Sequence, residues 1–151
     1  FFARWFIPTE EEWVKAAYYD PAKKGFWTYP TRSDVIDKSM ANYASSSVVD
    51  VGSYPNHPSA YGTFDQGGNA NEWVDKYYPP AGWSGVCRGE WGGSYCYGTE
   101  DMSITYNNKY AFDCDPDLGF RIVEVPEPAT AMLLIMGSAV VYYGTRRHSC
   151  R

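Results

Sequence analysis

Asp65-Gln66-Gly67-Gly68-Asn69-Ala70-Asn71-Glu72-Trp73-Val74 sets two carboxylates seven residues apart on either side of paired glycines. Glycine reaches backbone angles that other residues avoid, so the side-chain and carbonyl oxygens of such a segment can turn toward one point. A hard cation suits a cage of that kind, because calcium takes roughly six to eight oxygens and tolerates irregular geometry. The competing reading is a hydrogen-bonded turn that delivers the chain into a strand bearing Trp73. Both fit the residues alone.

Upstream, Ile7-Pro8-Thr9-Glu10-Glu11-Glu12-Trp13-Val14-Lys15-Ala16-Ala17-Tyr18 predicts a helix. Thr9 as N-cap and Glu12 three residues on form a capping box, and the acidic triplet lies where the helix dipole favours negative charge. Trp13, Ala16 and Ala17 make its apolar face, and Asp20-Pro21 ends it. The remainder has no comparable period. Short aromatic runs alternate with Gly, Asn, Pro and Ser, as at Val51-Gly52-Ser53-Tyr54-Pro55-Asn56 and Gly92-Gly93-Ser94-Tyr95, which predicts loops and short strands. Fourteen Tyr, seven Phe and six Trp beside fourteen Gly and ten Pro favour flat rings packed between irregular loops over long amphipathic helices. With 44% hydrophobic and 21% charged residues in a chain of 151, a single folded core is expected, and disorder and coiled coil are disfavoured.

Charge is unevenly spread. Residues 1–125 carry ten basic against seventeen acidic groups, whereas residues 126–151 carry Arg146, Arg147 and Arg151 against Glu127. An acidic body without a Lys/Arg cluster repels phosphate backbones, which argues against nucleic acid as a partner. The chain opens at Phe1 without methionine or a signal-peptide pattern, so further residues, an export signal among them, are expected upstream. At the other end no residue from Ala129 to Thr145 is charged, and Arg146-Arg147 close the run. Residues 129–145 therefore read as a short transmembrane segment, near the lower limit of about 17 residues for a span, with the arginines held cytoplasmic. A buried C-terminal helix is the alternative. Pro126 and Pro128 separate this run from the body, giving a domain over 1–124 and a tail over 125–151.

Val125-Pro126-Glu127-Pro128-Ala129-Thr130, followed by the apolar run and the arginine pair, resembles the PEP-CTERM sorting signal of bacterial exported proteins. That resemblance implies an inner-membrane intermediate, an exosortase-type sorting enzyme as partner, cleavage near Pro-Glu-Pro, and release to the cell surface or the extracellular matrix.

In the body, five segments taken in order resemble the sulfatase-modifying-factor family, whose founding activity is that of the formylglycine-generating enzyme. They are Ile7-Pro8-Thr9-Glu10-Glu11-Glu12-Trp13; Ala41-Asn42-Tyr43; Val51-Gly52-Ser53-Tyr54-Pro55 leading to Ala60-Tyr61-Gly62-Thr63-Phe64-Asp65; Gly68-Asn69-Ala70-Asn71-Glu72-Trp73-Val74; and Arg88-Gly89 through Gly92-Gly93-Ser94-Tyr95 to Leu118-Gly119-Phe120-Arg121. The match runs from Ile7 to Val123, the C-terminal part of the family domain. It implies an α+β, loop-rich fold, a C-type-lectin-like variant with little regular secondary structure, to which the tail adds a C-terminal hydrophobic helix. It also implies calcium, held by the side chains of Asp65 and Glu72 and the carbonyls of Gly68 and Ala70. A second family calcium site would use Asn42 and the carbonyl of Tyr43, but Ser45-Ser46-Ser47 follow closely and the loop is short, so that site is not expected. Asp113, Asp115 and Asp117 form another acidic cluster, read as a solvated turn.

Formylglycine formation needs two cysteines that hold copper(I), because soft thiolates select that ion. In the family's catalytic members the first follows the Gly-Gly-Ser-Tyr tyrosine by two positions and the second lies five further on, which here gives Tyr97 and Met102. Cys96 stands one place early, and its partner in a slipped register would be Asp101. Copper, a catalytic residue and a cofactor-binding residue are therefore not expected. Two of Cys87, Cys96 and Cys114 can join as a disulfide in an oxidising compartment, the pairing left open. His57, before Pro58 in a loop, is read as exposed rather than as a base. Tyr77 to Trp83 and Tyr106 to Tyr110 offer rings for a carbohydrate or protein ligand, with core packing as the competing reading. The expected function is an exported, calcium-stabilised, non-catalytic binding or structural module. The alternative is a formylglycine-generating oxidoreductase acting on a peptidyl cysteine.

Overall fold

The computed structural model describes residues 4–78, 87–105, 110–111 and 116–124, with only the backbone for 110–111. In chain order the described elements are β1 (Trp5–Phe6), α1 (Glu10–Tyr18), β2 (Tyr19–Asp20), β3 (Gly25–Phe26), β4 (Asn71–Tyr78), β5 (Cys87–Trp91), a single 3-10 turn (Glu100–Met102), β6 (Tyr110–Ala111), β7 (Leu118–Phe120) and β8 (Val123–Glu124). The strand-and-loop character expected from the ring, glycine and proline content is present, and the single helix beside short strands agrees with the α+β class that the resemblance implies. Two compact units divide the chain, one of Ile7–Arg121 and one of Phe1–Phe6 with Ile122–Arg151. In the second, β1 pairs antiparallel with β8, and Arg4 forms an ion pair with Glu124.

The first unit is organised by α1 and a four-stranded sheet of order β6-β5-β4-β7. The capping box forms as expected, with Thr9 Oγ1 accepting from the Glu12 amide at 3.2 Å and Glu12 Oε2 accepting from the Thr9 amide at 2.9 Å. The buried face of the helix differs from the expected one: Trp13, Ala17 and Tyr18 are buried, and Ala16 lies at the margin. The cause is the short helix, which stops at Tyr18 and passes directly into β2, so Tyr18 turns inward at the junction. Trp13, Tyr18 and Trp91 then form a triangle of rings with centroids 5.8 to 6.0 Å apart, and Val74 and Ala17 complete this core.

Each polar tip of that triangle has a partner, as burial requires. The Tyr18 hydroxyl donates to the Met102 carbonyl at 2.9 Å, Trp91 Nε1 donates to Glu10 at 3.0 Å, and Trp13 Nε1 donates to Glu72 at 2.7 Å. Within the sheet, β4 runs antiparallel to β5 with Glu72 opposite Trp91 and Trp73 opposite Glu90; the register shifts before Tyr77 meets Arg88. On its other edge β4 runs parallel to β7, with Asn71 beside Leu118 and Glu72 beside Gly119. The parallel pairing brings Arg121, just past β7, to the beginning of β4.

Among the described residues no helix is long and apolar enough to cross a membrane. The apolar run over 129–145, the sorting-signal residues and the expected C-terminal helix lie outside the described residues.

Behind α1, Asp20 ties the turn together. Its carboxylate accepts from Trp27 Nε1 at 3.1 Å and from the Ala22 amide at 2.8 Å, and these bonds hold its carboxyl below the usual aspartate range. Asp34 and Asp37 are lowered in the same way, Asp34 by the Thr28 amide and hydroxyl and Asp37 by the Ser39 hydroxyl and amide. A carboxyl lowered in the folded state contributes stability above its unfolded pKa and loses it as pH falls through the folded one. The melting temperature should therefore fall steadily as pH drops below about 4. Asp20→Asn should flatten that fall, and a melt equally steep in the variant would remove Asp20 from the account.

Candidate functional site

The loop entering β4 is built by its own backbone. Gly68 and Asn69 donate to the carbonyls of Gly92 and Asn42, each at 2.8 Å, and Asn71 donates to the Asp117 carbonyl at 2.8 Å. Asp65, Gly68 and Asn69 all take left-handed conformations, with φ of 57°, 72° and 67°. At Gly68 a side chain is excluded outright, since a Cβ would stand 2.3 Å from the Asn42 carbonyl oxygen and 3.2 Å from Met102 Sδ. Gly68 thus serves close backbone approach, whereas a Cβ at Gly67 would stand 2.8 Å from the Pro30 ring.

Three of the four expected cation ligands, Asp65, Gly68 and Glu72, are held by other partners. Asp65 Oδ2 accepts from the Gly52 amide at 2.8 Å, and the Gly68 carbonyl accepts from the Ala70 amide at 2.9 Å. Ala70 sits between this bond and the start of β4, next to Asn71. Glu72 is nearly buried and has both oxygens engaged. Oε2 accepts from Trp13 Nε1 at 2.7 Å and from Arg121 Nε at 2.5 Å, and Oε1 accepts from Arg121 Nη2 at 2.6 Å. Arg121 Nη2 also donates to the Phe64 carbonyl at 3.2 Å. A two-pronged guanidinium on a carboxylate supplies both charge balance and fixed geometry. The donor set therefore does not fit calcium: a divalent ion at Glu72 would have to displace Arg121 from the same oxygens. Among the described residues no group of three or more His, Cys, Asp and Glu side chains is placed to hold a metal.

Asn69 carries a second tie. Its Oδ1 accepts from Asn42 Nδ2 at 3.0 Å and from the Val49 amide at 2.8 Å, and its Nδ2 donates to the Val49 carbonyl at 3.1 Å. Together with Asp65 on Gly52, this fixes the segment around Val48–Gly52 against the glycine loop. Asn42, nearly buried, also accepts from Ser45 Oγ at 2.6 Å and donates to the Ser47 carbonyl at 3.0 Å. Lys38 closes that turn by donating to the carbonyls of Tyr43 and Ala44 while lying 4.4 Å from the Tyr43 ring centroid.

At the two positions that the resemblance sets against the family's cysteines the environments are opposite. Tyr97 is 45% exposed, and Met102 is completely buried, against Gly68 and Gly93 and with its carbonyl holding Tyr18. Cys96 lies beside them, exposed, 3.2 Å from Ser94 Oγ and 3.5 Å from an Asp117 carboxylate oxygen that is itself nearly buried. Cys87 is buried in β5, and Cys87 and Cys96 are not bonded to each other; Cys114, Asp113 and Asp115 lie outside the described residues. His57, expected to be exposed, is half-buried in a turn in which its amide donates to the Tyr54 carbonyl at 3.2 Å. Of the expected ring surfaces, Tyr77 is exposed beneath the Arg88 guanidinium, whereas Tyr78 turns back to donate to Glu10; residues 79–83 and 106–109 lie outside the described residues.

Sequence reasoning missed the roles of Arg121, Trp13 and Lys38. Arg121 stood in a family segment without an assigned partner, and its only signal was a lone cation after Gly119-Phe120. Replacing Glu72 by Gln keeps the shape but removes the charge that Arg121 faces, and should cost about 2 kcal/mol of unfolding free energy. Urea denaturation measures it, and a change under about 0.5 kcal/mol would show that the pair is a solvated surface contact.

Comparison with known proteins matches this architecture. Treponema denticola variable protein 1 superposes with a TM-score of 0.58 at 25% identity, over 81% of this chain and 48% of that one. The crystal structure of CarF superposes with a TM-score of 0.59 at 24% identity, over 82% of this chain and 48% of that one, which bears on fold alone. Among curated relatives, serine/threonine-protein kinase pkn1 of Chlamydia caviae is 40% identical over 72 residues, and its counterpart in Chlamydia trachomatis serovar L2 is 43% identical over the same length. Those stretches cover 48% of this chain but 11% of each kinase, so the chain spans a small part of the curated relatives it matches. Residues 2–126 match the family model described as the sulfatase-modifying factor enzyme 1-like domain, and the chain belongs to that FGE-sulfatase family.

Proposed function

We propose that this chain is an exported, non-catalytic member of its family that acts as a binding or structural module at the cell surface or in the extracellular matrix. One observation carries the reading. Tyrosine and methionine stand where copper(I) would need two thiolates, and Met102 is fully buried as a packing element beneath the glycine loop. A phenol and a buried thioether cannot form the dithiolate pair that oxygen activation on a peptidyl cysteine requires. Cys96 does not restore it, since Asp101 occupies the partner position in that register.

The binding role is supported by exposed rings on the same framework. Tyr97, Tyr61 and Phe64 are all substantially exposed, and rings of this kind engage sugars or peptides at low entropic cost. Ala44 and Ser45 are clamped beside Tyr97 by the Ala44 amide on the Tyr97 carbonyl and the Ser45 amide on the Tyr95 carbonyl. The export part rests on the sequence of residues 125–151, in which Pro-Glu-Pro, an uncharged run and an arginine pair follow in order.

Incubating the purified protein with copper(I), dioxygen and a cysteine-bearing sulfatase-motif peptide should leave the peptide mass unchanged. Copper-dependent conversion of that cysteine to the aldehyde would establish the oxidoreductase instead. On glycan and peptide arrays, Tyr97→Ala should weaken whatever binding the parent chain shows by at least several-fold, and unaltered binding would move the recognition surface elsewhere. A reporter carrying residues 125–151 should be released only from cells with an exosortase-type enzyme, and Pro126→Ala with Pro128→Ala should retain it; release insensitive to both changes contradicts the sorting role.

A further inference from the structure

We infer that Arg121 and Lys38 are resident cations which take the places of two bound calcium ions, so that this chain folds without the metal. The first half rests on Glu72. Its two oxygens accept three hydrogen bonds from Arg121 and Trp13, and Arg121 continues to the Phe64 carbonyl, so one guanidinium bridges the carboxylate at the start of β4 and the backbone next to Asp65. Of the four expected calcium ligands Arg121 meets Glu72, and through Glu72 and the Phe64 carbonyl it spans the two ends of the loop that an ion would have joined. The pair is mostly shielded, with side-chain exposures of 25% for Arg121 and 12% for Glu72, so the bond is not dispersed into solvent.

The second half rests on an independent place in the fold. The Tyr43 carbonyl, which the resemblance assigns to a second calcium ion, is bonded to the Lys38 ammonium, as is the neighbouring Ala44 carbonyl at 2.8 Å. Asn42 is occupied as well, its oxygen by Ser45 and its amide by Ser47 and Asn69. At both places convergent oxygens meet a side-chain cation from elsewhere in the chain. A fixed charge of this kind does not dissociate, so stability should not depend on ambient calcium as it would for a bound ion.

The test is a thermal melt of the full chain in chelator and in excess calcium, joined to terbium luminescence. Trp13 lies against Glu72 and would sensitise a lanthanide bound there. The parent chain should melt at the same temperature in both buffers and show no saturable terbium emission. A melting temperature raised by calcium and returned by chelator, or terbium emission displaced by calcium, would overturn the inference. Arg121→Gln in chelator should melt several degrees lower, with part of the loss recovered by calcium now that Glu72 is free. Lys38→Gln should melt lower in both buffers. Unchanged melting in either variant would also overturn it, and the parent-chain comparison decides the matter if Arg121→Gln does not fold.

Discussion

A carboxylate carried into the interior at the start of a strand must be answered by charge or by hydrogen bonds, and Glu72 is answered by both. Trp13 comes from α1 and Arg121 from the residue after β7, so one side chain joins the helix, the central strand and the end of the parallel strand. An unpaired charge there would cost several kcal/mol, of order 3–5 for a broken buried pair. The requirement fixes more than Glu72. It sets the rotamer of Trp13, the vertex at which Tyr18 and Trp91 meet, and it draws the Phe64 carbonyl toward the sheet.

The glycine loop is the complementary constraint. Its backbone lies so close to Asn42 and Met102 that position 68 admits no side chain, and the left-handed turns at Asp65 and Asn69 aim their polar groups outward to Gly52 and Val49. Asp65 and Asn69 of this loop direct side-chain oxygens to neighbouring backbone amides, and Glu72 directs its own to Arg121 and Trp13. Met102 fills the space below, and a thioether is suited to the irregular gap between glycines because it is flexible and polarisable.

Much of this was legible in the residues. The capping box around Thr9 and Glu12 is local, with both partners within four positions, and the helix it predicts is present. The loop-rich character followed from ring and glycine content, and the family from the order of five segments. What escaped was long-range pairing: Glu72 and Arg121 are 49 residues apart, and no local pattern distinguishes a carboxylate that will meet a guanidinium from one that will bind an ion. Tyr18 in place of Ala16 on the helix face escaped for a similar reason, because an early helix end and not the helical period decided it. At the candidate site, the identities at positions 97 and 102 could be read directly, whereas the opposite environments of Tyr97 and Met102 required the fold.

At the two positions that the resemblance sets against the family's thiols the chain carries a surface ring, Tyr97, and a packing residue, Met102. The stability of this framework is drawn in part from the pairing of Glu72 with Arg121 and Trp13. That pairing is most directly tested by a double-mutant cycle on Glu72→Gln and Arg121→Gln, followed by urea unfolding. The account predicts that the two losses fail to add, with a coupling of about 1–3 kcal/mol. Losses that add to within about 0.3 kcal/mol would mean that Glu72 and Arg121 act independently.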